Sequence, residues 1–195
     1  MEAGIPSTWV TRWARLVAAG APVLDIASGG GRHARWFAAR GHAVLAVDRD
    51  ADALASMSGC EGVETLVADI EGGPWPLPAD LRFAAVIVTN YLHRPLFARL
   101  IDSLAPGGVL IYETFAAGNE CIGKPSNPAF LLEAGELLEA VRGRLRVIAF
   151  EDGFVEKPRA AYVQRICAVS EVEATGNRLT IGNTPPGPPR YDLAG

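Results

Sequence analysis

Three acids and a run of glycines are the residues of this chain whose types and spacing could do chemistry. The stretch "VLDIASGGGRHA" (23–34) sets Asp25 inside a short apolar run and follows it with Gly29, Gly30 and Gly31. Glycines let a ligand approach the backbone, and a helix that opens just after them offers free N–H groups. Asp48 closes the run "AVLAVD", about 20 residues beyond the turn, where a carboxylate can accept hydrogen bonds from both hydroxyls of a ribose. Asp69 follows the next apolar run, in "LVADI". A carboxylate there can accept from an adenine amino group, while the backbone N–H of Ile70 reaches a ring nitrogen. Taken singly, each acid could be a solvated loop residue. Jointly, at the ends of three successive apolar runs, they line one crevice.

Two cofactors compete for such a site. Gly29, Gly31 and Ala34 satisfy the dinucleotide fingerprint G-x-G-x-x-A, so the glycines alone do not choose. Asp25, four residues before Gly29, argues against a pyrophosphate, which it would repel. A carboxylate suits a cofactor with a cationic amino-acid end, engaged directly or through water. S-adenosylmethionine is that cofactor, with an ammonium, a sulfonium and no phosphate. The plainer role for Asp25 is to cap local backbone groups.

These residues need a framework that delivers them to one edge. The runs at 22–27, 43–47, 63–67, 84–89 and 108–113 are rich in Val, Ile and Leu, and several are apolar on both faces. That pattern marks strands buried in a parallel sheet. Helical stretches alternate with them: 31–40 ending at Gly41, 51–58 capped by Asp50, and 95–104 opening on Pro95. The alternation predicts a doubly wound α/β fold with right-handed crossovers. One crossover differs, because Pro74, Pro76 and Pro78 exclude a helix and leave a loop over 71–80. The last third predicts an amphipathic helix over 131–143 and strands at 145–150 and 161–169. The ten residues "EDGFVEKPRA" between those strands suit only a loop, hence an antiparallel pair.

With these motifs in place, the chain resembles class I S-adenosylmethionine-dependent methyltransferases, and is similar to the small tellurite-resistance-type methyltransferases. The family pattern is an acid followed by G-x-G-x-G. Here it reads Asp25-Ile26-Ala27-Ser28-Gly29-Gly30-Gly31, with Ala27 replacing the first glycine. The resemblance covers about residues 20–170 and implies a mostly parallel seven-stranded Rossmann-like sheet whose last strand is antiparallel. It implies that Asp48 holds ribose and Asp69 holds adenine, and that Asn90 and Tyr91 of "TNYLHR" face the methionine end. Arg49 and Ala68, beside these acids, complete the expected cofactor set. One methyltransferase domain is expected over 1–173, with an N-terminal helix at 7–19, a cofactor half at 20–90 and a substrate half at 91–173. A tail rich in Gly and Pro follows over 174–195.

Methyl transfer from a sulfonium is an in-line displacement, so the protein mainly orients the partners. A soft acceptor needs no base; an oxygen or amine acceptor can need one. The candidates are His33, Tyr91, His93, Arg94, Tyr112 and Glu113. His33 is expected to pack against the cofactor or stay solvated. His93 and Arg94 bind either an anionic acceptor or their neighbours, and Glu113 is either a base or the partner of an arginine such as Arg32. The segment 114–128 is the candidate lid, and its Cys121 is incidental. No pair of base and orienting acid is set by spacing, which favours a small acceptor that is already nucleophilic. An NAD(P)-dependent oxidoreductase would share the glycine turn and Asp48 but leave Asp25 and Asp69 unexplained. A catalytically silent S-adenosylmethionine-binding protein would share every cofactor residue.

Composition sets outer limits. The 195 residues are 49% hydrophobic and 21% charged, with a net charge of -4. That charge argues against general binding to nucleic acid or anionic membrane. No apolar run approaches the roughly 20 residues that span a bilayer. Three scattered cysteines, Cys60, Cys121 and Cys167, form no metal spacing and suggest reduced thiols, hence a cytoplasmic protein. The oligomeric state is not encoded in these features.

Overall fold

A computed structural model describes residues 4–171 and 190–193. Seven strands form one sheet: β1 (Val23–Ile26), β2 (Val44–Asp48), β3 (Val63–Val67), β4 (Phe83–Thr89), β5 (Leu104–Phe115), β6 (Arg146–Val155) and β7 (Ala161–Val169). Their spatial order is β3-β2-β1-β4-β5-β7-β6. Pairing is parallel from β3 through to β5, and β7 runs antiparallel to both β5 and β6. The chain winds outward from β1 through β2 to β3, then crosses to β4 on the other side. The order therefore reverses between β1 and β4, which opens a crevice at the carboxyl ends of those strands.

Alternation along the buried strands supplies two cores, one on each face. Leu24, Ile26, Val86, Val88 and Tyr112 face one. Val23, Ala46, Ala85, Ile87 and Ile111 face the other, where α1 (Thr8–Trp13), α2 (Arg32–Ala38) and α3 (Ala51–Ala55) pack through Trp9, Trp13, Phe37 and Leu54. The loop at 71–80 holds no helix, as its prolines require.

Several expected boundaries move. β6 continues to Val155, so the hairpin turn is 156–160 and the first half of "EDGFVEKPRA" is strand. The register runs on from Glu151↔Arg165 to Val155↔Ala161. Ladder bonds outweigh the turn-forming residues of that stretch. β5 extends to Phe115, so the start of the expected lid belongs to the sheet. The expected helix over 131–143 shrinks to α5 (Glu136–Val141), because Leu132 is held extended by Phe115 O and bridged to Ala116. The helix over 95–104 becomes a 3-10 turn at Arg94–Leu96 and α4 (Phe97–Asp102). The N-terminal helix is α1 followed by a 3-10 turn at Ala14–Leu16. Most of the tail at 174–195 lies outside the described residues. Its segment 190–193 packs against the body, with Arg15 donating to Asp192 O at 2.6 Å and Tyr191 against the α1 face.

Candidate cofactor cleft

The crevice between β1 and β4 is a cleft of about 460 Å³, with four short stretches distant in sequence lining its near end. Ala27 comes from the glycine turn, Asp48 and Arg49 from the end of β2, Ala68 to Glu71 from beyond β3, and Asn90 to Leu92 from beyond β4. A second cleft of about 800 Å³ continues around the turn past Ala27, Ser28, Gly29, Gly30 and Arg32 to Thr89 and Asn90. Ala27 and Asn90 line both, so the two meet there.

Backbone strain is concentrated at that junction. Ala27 and Asn90 are the two non-glycine residues with positive φ among the described residues, at 52° and 55°. Such conformations persist where surrounding structure over-determines them, often beside ligands. Gly29 and Gly31 follow at φ 52° and 74°. A Cβ on Gly29 would meet nothing within 4 Å, so that position is open to a ligand, whereas one on Gly31 would lie 1.8 Å from Met57 Sδ. Gly31 is thus required for α2 to approach α3, and it does not line either cleft.

The three acids differ sharply. Asp25 is 2% exposed beneath the turn, on the face covered by α2, where it accepts from Ala34 N at 3.1 Å. Burial pushes its carboxyl up to about 7, against the lowering effect of that hydrogen bond and of Arg32. It supports the start of α2 and lies off the cleft wall. Asp48 is half-buried on that wall. Its Oδ2 accepts from Gly29 N at 2.7 Å and its Oδ1 from Asp50 N at 2.9 Å, which ties the glycine turn to the end of β2. Each oxygen keeps a second lone pair for a ligand hydroxyl. Asp69 is exposed, and Oδ1 accepts from Glu71 N and Gly72 N. Those two bonds hold its carboxyl below the usual range. Tyr91 ionises less readily than an ordinary phenol, because burial and then the nearby Glu71 carboxylate disfavour the phenolate. Ser28 Oγ is buried in the turn without a partner, a polar atom still to be satisfied.

Four of the other candidate groups, His33, Glu113, Arg94 and Tyr112, are committed to structural partners. His33 is 2% exposed, accepts from Ser7 N at Nε2 (3.1 Å) and sits 3.5 Å from Thr89 Oγ1 at Nδ1. Burial, then Arg32, push its pKa down to about 3, so it is neutral. It therefore neither stays solvated nor faces the cleft, as the sequence suggested it would. Glu113 pairs with Arg165 at 2.9 Å rather than with Arg32, and accepts from Ser7 Oγ at 2.9 Å. Arg94 forks onto Glu136 at 2.6 and 2.9 Å and donates to the carbonyls of Ala129 and Leu131, so it braces α5. Tyr112 is buried and donates to Tyr91 O at 2.8 Å. The network of Ser7, His33, Glu113 and Arg165 spans α1, α2, β5 and β7. Of its links only the serine before "TWVTRW", a helix-cap residue, left a signal in the sequence.

The far end of the first cleft is lined by Thr114, Phe115, Pro125 and Phe130. Thr114, Phe115 and Pro125 fall in the segment expected as a lid; Phe130 and Glu71 were not anticipated. That segment is pinned by Asn119, which is 2% exposed, donates to Pro125 O at 2.9 Å and accepts from Tyr162 N at 3.3 Å.

Residues 23–108 match the family model described as a methyltransferase domain. Those residues hold β1 to β4, the glycine turn and all three acids. TehB of Haemophilus influenzae superposes with a TM-score of 0.71 at 15% identity, over 85% of this chain and 63% of TehB. The chain has the class I methyltransferase fold. The 1,6-didemethyltoxoflavin-N1-methyltransferase of Burkholderia thailandensis, solved with 1,6-didemethyltoxoflavin and S-adenosylhomocysteine, gives 0.63 at 20% identity, over 84% of this chain and 76% of that one. The N-methyltransferase NodS of Bradyrhizobium japonicum gives 0.64 at 13%, over 83% and 93%. This methyltransferase-fold chain thus spans less than two thirds of the length of TehB. No curated protein matches it by sequence.

Proposed function

We propose that the protein is an S-adenosylmethionine-dependent methyltransferase acting on a small, largely apolar acceptor. The observation that carries this reading is the convergence of Ala27, Asp48, Asp69 and Asn90 on one cleft at the reversal between β1 and β4. The donor set fits the cofactor. Asp48 has lone pairs left for a ribose diol, Asp69 presents an exposed carboxylate for an adenine amino group, and the open space above Gly29 admits a ligand against the backbone. Asp69 and Glu71 on the same wall disfavour the second phosphorylated nucleotide of NAD(P).

S-adenosylmethionine supplies an electrophilic methyl on a sulfonium. The chain holds the acceptor in line through Leu92, Phe115 and Phe130 and excludes water with the same apolar surfaces. Asn90, held at φ 55° by its N–H to Glu113 O at 2.9 Å, orients the junction between cofactor and acceptor. With His33 buried and neutral, and Glu113 committed to Arg165, the acceptor brings its own nucleophilicity.

Calorimetry tests the cofactor. S-adenosylmethionine and S-adenosylhomocysteine are expected to bind, and NAD(H) and NADP(H) are not. Comparable binding of a nicotinamide cofactor overturns the reading. Labelled methyl transfer to panels of small thiols, amines and phenols, read by mass spectrometry, then identifies the acceptor.

A further inference from the structure

The apolar end of the first cleft does not stop at its mouth. Phe115, Pro125 and Phe130 line that end, and Phe130 is also half exposed at the surface. Beyond it stand Ile122 and Phe154, each about half exposed. They come from separate segments that are tied into one corner. Ile122 closes the 3-10 turn Asn119–Cys121, and Asn119 joins that turn to Pro125 O and to Tyr162 N. Tyr162 packs against Gly118, where a Cβ would lie 3.0 Å from Tyr162 Cγ, and the Phe154 ring lies 5.3 Å from the Tyr162 ring. Arg159 closes the corner: its guanidinium is 5.4 Å from the Phe115 ring and donates to Lys124 O at 3.4 Å. An apolar strip thus leads out of the cleft past Phe130 and Ile122 to Phe154.

Apolar side chains scattered singly over a surface are ordinary, but a strip continuous with a cleft marks a contact. Its extent and its rim decide what fits. Three half-exposed side chains offer on the order of 200–300 Å², well under the ~800 Å² that each partner of a standard protein interface buries. The rim carries charges of both signs, Glu120, Lys124, Glu156, Lys157 and Arg159, so it is no platform for a polyanion or an anionic membrane. A narrow apolar track out of a reaction cleft suits a flexible hydrocarbon chain. We infer that the acceptor is an amphiphile, with its reactive head in the cleft and an alkyl or isoprenoid tail lying over Phe130, Ile122 and Phe154. This rests on the methyltransferase reading above and names the class of its acceptor. Each methylene on the strip is shielded from water on one side only, so it contributes less than a fully buried one.

The test is calorimetry on the full chain saturated with S-adenosylhomocysteine and titrated with 4-alkylphenols from butyl to octyl. Full burial would tighten binding about fourfold per methylene, and one-sided cover about twofold. The octyl member should therefore bind the unaltered protein at least about 10-fold more tightly than the butyl one. The double variant Ile122→Ser/Phe154→Ser, checked for folding by circular dichroism, should lose most of that gain and bind the butyl member within about twofold of the unaltered protein. Val67→Ser, at an exposed apolar position on the opposite edge strand β3, should keep the whole gain. A series that is flat in chain length, or in which no member binds, overturns the amphiphile and leaves the cofactor reading standing. So does a gain that the double variant leaves intact or that Val67→Ser removes equally, since the chains then adhere elsewhere. Failure of S-adenosylhomocysteine to bind overturns both. If the double variant does not fold, Ile122→Ser and Phe154→Ser decide singly.

Discussion

Gly29 and Gly31 share a positive φ and a motif, yet the surroundings of each assign them different work. A side chain at Gly29 meets only open space, so Gly29→Ala costs the left-handed backbone penalty of about 1–2 kcal/mol and intrudes on the ligand. At Gly31 the same backbone penalty is joined by collision with the buried Met57 thioether, which adds overpacking of about 1–3 kcal/mol. Urea unfolding should therefore show Gly31→Ala as the more destabilised variant. Cofactor titration should show Gly29→Ala as the one whose binding falls out of proportion to its stability. Equal stability losses would mean that Met57 simply swings aside. Ala27 belongs to the same account: it holds φ 52° with a methyl where the family pattern has glycine, and the ladder of β1 sustains that strain.

The N-terminal helix shows how one element is secured to the sheet. Ser7 caps α1 by accepting from Trp9 N and Val10 N, donates its hydroxyl to Glu113 and its N–H to His33. Trp9 donates to Ile166 O, and the Arg165 guanidinium lies 5.9 Å from its ring. One side chain thus serves as helix cap and as hydrogen-bond donor to a mostly buried ion pair. Ser7→Ala is expected to cost about 1–3 kcal/mol, more than an exposed cap, because the Glu113 carboxylate loses a donor in a dry setting. Ser7→Thr should recover most of it. A loss within about 0.5 kcal/mol in a urea melt would mean that α1 is held by its tryptophans alone.

For the molecule as a whole, two buried groups on one face set opposing pH dependences. Asp25 has its carboxyl raised from 3.8 to about 7 by burial, so the stability linked to it is fully present below 3.8 and is lost as pH rises through about 7. His33 is lowered from 6.5 to about 3 by burial and by Arg32, so its contribution is present above 6.5 and is lost as pH falls through about 3. Between 3.8 and 6.5 the two oppose each other and flatten the profile; from there to about 7 only Asp25 acts. Asp25→Asn should therefore gain more stability at pH 8 than at pH 5, by at least about 1 kcal/mol. A gain that is equal at both pH values would mean that Asp25 stays ionised throughout.

The alternation of strands and helices and the placing of Asp48 and Asp69 at strand ends were legible because both rest on local chemistry. Apolar runs flanked by glycine and proline mark buried parallel strands, and Asp48 and Asp69 sit at strand ends that the alternation delivers to one edge. For that reason Ala68, Ile70 and Asn90, read beside these acids, also line the cleft. Boundaries that depend on pairing could not be read. β6 runs five residues past its expected end at Phe150, because β7 offers it a ladder that no local signal announces. The fate of the isolated titratable groups was equally hidden. Asp25 and His33 look alike in sequence to groups that face a ligand, yet α2 and the N-terminal segment seal both. That Glu113 pairs with Arg165 and not with Arg32 was decided by β7, which brings in Arg165 from far along the sequence. Pairing and burial are long-range consequences of packing, so only the folded chain assigns them.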